Sequence, residues 1–147
     1  MRLYRSAKTL CDLSNWSLSN LQLQKLLYLA HMVSLGEKGV PLNDGQPFQA
    51  WDLGPVQPDV YQRVKAYGSS SIPNIFPMQT YESSDWEYEV LKDIYDQLGD
   101  KPASKLVAIT HWDDGAWAKN YERGVRGITI PDVDILDEYK LRFDAAS

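Results

Sequence analysis

Residues 19–39 read SNLQLQKLLYLAHMVSLGEKG. Ser19 followed three positions later by Gln22 matches a capping box, and Gly36 and Gly39 offer places to stop, so the stretch predicts a helix. Its apolar residues recur at nearly every angle around the axis. A helix that is apolar all round belongs inside a domain, and this one is expected to be the central helix on which the rest is laid. Its polar residues Gln24, Lys25 and His31 then need partners, because a buried amide, ammonium or imidazole is costly unless hydrogen-bonded. They read as internal struts that hold loops.

Upstream, residues 2–13 predict a short helix. Arg2, Arg5 and Lys8 lie on one side, read as a solvated face, and Leu3, Ala7 and Leu10 on another. Downstream, residues 48–61 read FQAWDLGPVQPDVY. Apolar and polar residues alternate through Phe48, Ala50 and Leu53, with Trp51 breaking the pattern, which suits a short strand. Gly54-Pro55 reads as the turn that follows. Pro58 suits the first turn of a helix running to Gly68, where a missing N–H costs nothing. Such a rigid corner presents Trp51, Leu53 and Tyr61 with little entropy left to lose on binding a partner. The same side chains also suit a core, and both readings stand.

Residues 68–83 form a loop dividing two helical halves. Residues 84–99 predict an amphipathic helix, with Ser84 and Glu87 as a second capping box. Trp86, Val90, Leu91, Ile94, Tyr95 and Leu98 make its apolar stripe, and Asp85, Glu89, Asp93, Asp96 and Asp100 fall within roughly 80° on the opposite side. That acidic ridge is either a solvated face or a docking strip for a basic partner. A helix from Pro102 to His111 follows, packing Ala103, Leu106, Val107 and Thr110. Next comes a short helix capped by Asp113 or Asp114. A last helix begins near Pro131, with Thr129 and Asp132 as a capping pair and Ile135, Leu136, Tyr139 and Phe143 on one face. The expected fold is mainly α: a single compact domain over residues 1–147, six or seven helices around a buried central helix, with one or two short β-strands.

The 147 residues are the usual size of one domain. The net charge of −5 is uneven: residues 1–75 carry seven Lys/Arg against five Asp/Glu, and residues 76–147 carry eight against fifteen. A nucleic-acid binder needs a basic surface, and the central helix is too apolar to read bases, so nucleic acid is not expected as the main ligand. The acidic second half suits a basic protein partner. Cys11 is the one cysteine; it sits in an apolar helical run and reads as a small buried hydrophobe. The first ten residues lack the apolar run of a secretory signal, and no apolar stretch is long enough to span a bilayer. The expectation is a cytoplasmic protein without a membrane partner.

Reactive groups are sparse. His31 and His111 lie far apart and in no metal-ligand spacing, and one cysteine cannot complete a zinc site. Neither a phosphate-binding glycine loop nor a GxSxG elbow occurs. His111 followed by Asp113 and Asp114 is the one conceivable base and orienter. The competing reading is a helix-end histidine facing its own C-terminal carbonyls. The expectation is a binder and not an enzyme, with no catalytic residue, cofactor or metal.

Four blocks in order, NLQLQKLLYLAHMVSLG, FQAWDLGPVQPDVYQRVKAYG, LVAITHWDDGAW and GITIPDVDILDEY, resemble the Panacea antitoxin domain, the group of SocA-like and phage-associated GepA-like proteins. The resemblance runs from about Thr9 to Tyr139. Its most specific residues are Leu23, Gln24, Lys25, Leu26 and Tyr28; Ala50, Trp51, Gly54, Pro55 and Val56; and Thr110, His111 and Trp117. The chain departs from the family at Ala116, where members often carry Pro. The resemblance implies an antitoxin that binds and neutralises a co-encoded protein toxin, alarmone-synthetase-like translation inhibitors among them. One branch resembles a proteolytic adaptor that delivers its toxin to an ATP-dependent protease. Candidate partner-binding residues are then Trp51, Leu53, Tyr61, Glu89, Asp93, Asp96, Trp112 and Trp117. Gln24, Lys25, Tyr28, Gly54, Pro55, Pro58 and His111 are the structural motif.

Overall fold

The computed structural model describes residues 2–144, and its spine is the second helix. The elements are α1 (Arg2–Leu13), α2 (Asn20–Lys38), β1 (Phe48–Trp51), β2 (Gly54–Val56), α3 (Pro58–Val64) with a 3-10 turn over Lys65–Tyr67, α4 (Trp86–Leu98), α5 (Ala103–Thr110), α6 (Ala116–Asn120), β3 (Thr129–Ile130) and α7 (Asp132–Asp144). The fold is mainly α, with α2 packed against α1 and α4 and also against β2, α5 and α7.

The capping box of α2 forms in full, and the Gln22 side chain also donates to the Lys101 carbonyl at 3.1 Å. Gly39 ends the helix in a left-handed conformation, φ 67°. Gly36 does not end it. A Cβ there would lie 2.2 Å from the Tyr139 ring, so the glycine admits α7 against α2.

The sheet has three strands where one or two were expected. The order is β2-β1-β3, and both pairings are antiparallel. Trp51 pairs with Gly54, so Asp52 and Leu53 make the turn and Gly54-Pro55 begins β2. Pro55 is tolerated because β2 is an edge strand. Thr129, expected to cap the last helix, is instead in β3 opposite Gln49.

Two other caps differ from expectation. Asp85, not Ser84, precedes α4, and its carboxylate turns back to accept from the Glu82 N–H at 2.8 Å. The cap residue of α6 is Gly115, and neither Asp113 nor Asp114 bonds to that helix; Glu138 of α7 accepts from the Ala116 N–H at 2.9 Å instead.

The cationic side of α1 is not a bare solvated face. Arg5 donates to the Gln79 carbonyl at 3.2 Å and Lys8 to the Met78 carbonyl at 2.6 Å, so the loop between α3 and α4 is clasped along α1. That loop buries Ile72, Phe76 and Tyr81 in the common core.

Candidate partner-binding surface

At 100° per residue, Gln24, Tyr28 and His31 lie within about 60° of one another on α2, with Lys25 beside them. All four are buried. Gln24 accepts from the Gln57 N–H at 2.7 Å, and the Gln57 side chain caps α3 by accepting from Asp59 N–H, with Pro58 in the first turn. Lys25 Nζ donates to the Pro55 carbonyl at 2.9 Å. His31 Nδ1 accepts from the Leu42 N–H at 3.1 Å, so Nε2 carries the proton and donates to Asp132 at 2.9 Å. The Tyr28 hydroxyl donates to Glu138 at 2.7 Å. The buried polar residues of α2 therefore hold the hairpin of β1 and β2, the start of α3 and the start and middle of α7.

Burial pushes the Lys25 ammonium down to about 7 from its ordinary 10.5. Between those values the unfolded chain binds one proton more than the folded one, so this residue makes stability rise with pH across that window. From pH 7 to pH 9 the gain is about 2–3 kcal/mol. Urea unfolding of the parent and of Lys25→Met at the two pH values isolates it, since the other titrating groups are common to both. The parent is expected to gain on the variant as pH rises; a constant difference would show that Lys25 stays charged in the fold.

The hairpin tip is held from its other side by α5 and α6. The Trp117 indole N–H donates to the Trp51 carbonyl at 2.7 Å, and the Tyr121 hydroxyl donates to Asp52 at 2.5 Å. The His111 ring lies against the Leu53 backbone, leaves its buried Nε2 without a hydrogen-bond partner among the described residues and stacks face to face on Trp117 at 3.8 Å. Tyr121 also stacks with Trp117, at 4.6 Å, and Trp51 meets Tyr61 edge to face at 4.7 Å. Thr110 closes the corner beneath Gly54.

The structure thus brings Trp51, Tyr61 and Trp117 together around the hairpin, with Leu53 at its tip, 55% exposed. Trp112 is apart from them, beneath the Arg142 guanidinium at 4.6 Å. Glu89, Asp93 and Asp96 are exposed on α4. Asp96 pairs with Lys92 at 2.7 Å, whereas Glu89 and Asp93 form no ion pair among the described residues and border a shallow groove with Glu37 of α2. Glu37 points from α2 on the side opposite the struts, so the ridge and the hairpin flank the central helix on opposite sides.

The reading of His111 as facing the carbonyls of its own helix is replaced by these contacts with Leu53 and Trp117. Nor does the ring turn to Asp113 or Asp114, both of which are exposed. Burial lowers its pKa, helped by the nearby Lys25 charge and opposed by the adjacent Leu53 backbone. Burial also pushes the Cys11 thiol up to about 12, away from reactivity. Among the described residues no group of three or more His, Cys, Asp or Glu is placed to hold a metal ion, and no helix is long and apolar enough to cross a membrane.

Three contributors escaped the sequence reading: Glu138, Tyr121 and Asp52. Glu138 left one trace, an acidic residue three positions after Ile135 on the apolar side of its helix. It is 1% exposed and accepts from Tyr28, from the Ala116 N–H and, at 2.8 Å, from Arg142.

A family model described as Antitoxin SocA-like, Panacea domain, matches residues 23–118. This span takes in most of α2, the hairpin, α5 and the Trp117 contact. Antitoxin SocA of Caulobacter vibrioides (strain NA1000 / CB15N) is 36% identical over 114 residues, which cover 68% of this chain and 58% of that protein. The match thus spans a little over half the length of that curated relative. No solved structure matches the chain.

Proposed function

The chain belongs to the SocA-like antitoxin family with a Panacea domain, and from that membership we propose that it neutralises a protein toxin by binding it directly. The observation that carries the reading is the hairpin face. Within the family-matched residues, Lys25 of α2 and Trp117 of α6 hold the turn through Pro55 and Trp51, and Tyr121, just beyond them, adds the bond to Asp52. What faces outward is the half-buried edges of Trp51, Tyr61 and Trp117, residue types enriched at protein-binding hot spots, with Leu53 at the tip. The reading is of a binder that works by contact and not by catalysis, acting in the cytoplasm on a toxin encoded beside it.

The test is co-expression with the product of the reading frame adjacent to this gene. The expected result is a stoichiometric complex and rescue of growth, with the toxin persisting in the complex. Disappearance of the toxin would point instead to delivery to an ATP-dependent protease. Absence of both complex and rescue would overturn the antitoxin reading.

The acidic ridge is assigned a steering role in the same encounter. If Glu89, Asp93 and Asp96 attract a basic toxin, association is fast at low salt and slows once the Debye length shortens to about 8 Å at physiological ionic strength. Replacing the three by Gln or Asn is expected to slow association at low salt. The free protein should be about as stable, since removing like charges at i,i+4 offsets the loss of the Lys92–Asp96 pair. Stopped-flow kinetics across a salt series, with a melt of the free variant, provides the check. An on-rate unchanged at every salt concentration would reduce the ridge to a solvated face.

A further inference from the structure

The geometry points to Leu53 as the anchor through which this chain engages its partner, received by an apolar socket edged with cationic groups on the partner protein. This inference rests on the antitoxin reading and adds to it where the contact is made and what chemistry receives it.

A two-residue turn needs little support, yet this one is held by hydrogen bonds at three points. Trp117 donates to the Trp51 carbonyl, Tyr121 to the Asp52 carboxylate and Lys25 to the Pro55 carbonyl, and the His111 ring lies against the Leu53 backbone. The donors come from α2 and from α6 with the residue that ends it, and approach from two sides. Lys25 reaches the turn from full burial, which pushes its ammonium down to about 7. Such effort fixes a side chain in space, and the one that projects is Leu53, 55% exposed at the end of the hairpin. An apolar group carried on a backbone already held loses little backbone entropy on binding, which favours a large contribution from a small contact.

Charge selects among the occupants. Asp52 is the neighbour of Leu53 in the turn. The loop leading on from His111 carries exposed Asp113 and Asp114, and exposed Glu122 follows Tyr121, with Arg123 and Arg126 the exposed cations of that loop. With Asp52, four carboxylates stand against two cations, so the rim around the tip is net negative. A second copy of this chain, with net charge −5, would bring the same rim against itself. A partner with basic groups around an apolar socket is complementary to it.

The experiment uses the full chain and the product of the adjacent reading frame, with binding measured by titration for the parent, Leu53→Ser and Leu53→Met. Leu53→Ser is expected to weaken binding by about 30-fold or more, the level of a hot-spot residue, while its melting temperature stays with the parent because the side chain is largely in water. Leu53→Met, which keeps the apolar volume, is expected to bind within a few-fold of the parent. Sedimentation of the parent alone is expected to give a monomer. If the parent binds and Leu53→Ser binds equally well, the anchor is wrong while the antitoxin reading stands. If the parent does not bind at all, the antitoxin reading fails first. A parent dimer that Leu53→Ser dissociates, with partner binding unchanged, would assign the tip to a second copy and overturn the proposal.

Discussion

Glu138→Ala is expected to cost about 3–5 kcal/mol of folding stability, the range for removing one member of a buried charged network. The carboxylate is 1% exposed and accepts from the Tyr28 hydroxyl, the Ala116 N–H and the Arg142 guanidinium. Truncation strands the first two in an apolar setting, where each unsatisfied group costs about 1–3 kcal/mol. Arg142 keeps its bond to the Ile109 carbonyl at 2.7 Å and some access to water, so it adds least. For a chain of this size the loss corresponds to a fall in melting temperature of about 10 °C or more. Tyr28→Phe removes one donor and leaves Glu138 two others, so its expected cost is about 1–2 kcal/mol. Urea unfolding of both variants and of the double variant tests the network. A Glu138→Ala protein within 1 kcal/mol of the parent, a threshold set by the ordinary size of single-substitution effects, would mean that the three donors find other partners.

Gly54→Val is expected to be comparably damaging, by about 3–5 kcal/mol, through two separate costs. The backbone at Gly54 has φ +111°, a region that a β-branched residue resists. A Cβ there would also lie 3.0 Å from Thr110 Oγ1 and 3.1 Å from Lys25 Cε, both buried and both held by their own hydrogen bonds. Valine adds two methyl groups to that space, and overpacking costs about 1–3 kcal/mol beyond the backbone strain. Gly54→Ala meets the backbone cost with a smaller steric one and should fall between parent and valine. Folded Gly54→Val protein, isolated at low temperature, should still bind the toxin, because Leu53 is next to the damage and not part of it. A variant that melts like the parent yet fails to bind would make this glycine a contact residue and defeat the structural account.

Both sites show where the sequence was legible. The Ser19–Gln22 box and the left-handed Gly39 are local devices, closed within a few residues, and their pattern is sufficient. The demand that Gln24, Lys25 and His31 find partners was equally plain, because an all-round apolar helix leaves them no route to water. Who those partners are was not legible. Tyr28 and Glu138 are 110 residues apart, and Trp51 and Trp117 are 66 apart. The failed caps have the same origin. Ser84–Glu87, Asp113 or Asp114, and Thr129–Asp132 all match the pattern, but a local match yields when a distant group or another bond satisfies the same atoms. Glu138 does this for α6, and the pairing of β3 with β1 does it for Thr129. Gly54-Pro55 misled for a different reason. The dipeptide marks turns statistically, but the pairing of Trp51 with Gly54 puts the bend at Asp52 and Leu53, two residues earlier, and an edge strand accommodates the proline.

The distance along the chain between Tyr28 and Glu138 also sets a timetable. At synthesis rates of about 5–20 residues per second, roughly 5–20 s pass between the making of α2 and the making of the residue that completes its inner face. Contacts so far apart in sequence form late and slowly compared with local ones. The clamp on the hairpin waits in the same way for Trp117 and Tyr121. A nascent chain therefore carries α2 with Tyr28 and His31 unpaired, and an unheld turn, until residues 117–138 have emerged. On the proposed antitoxin function, competence to meet a toxin lags translation by this interval. Protection then depends on a standing pool of finished molecules and not on those still being made.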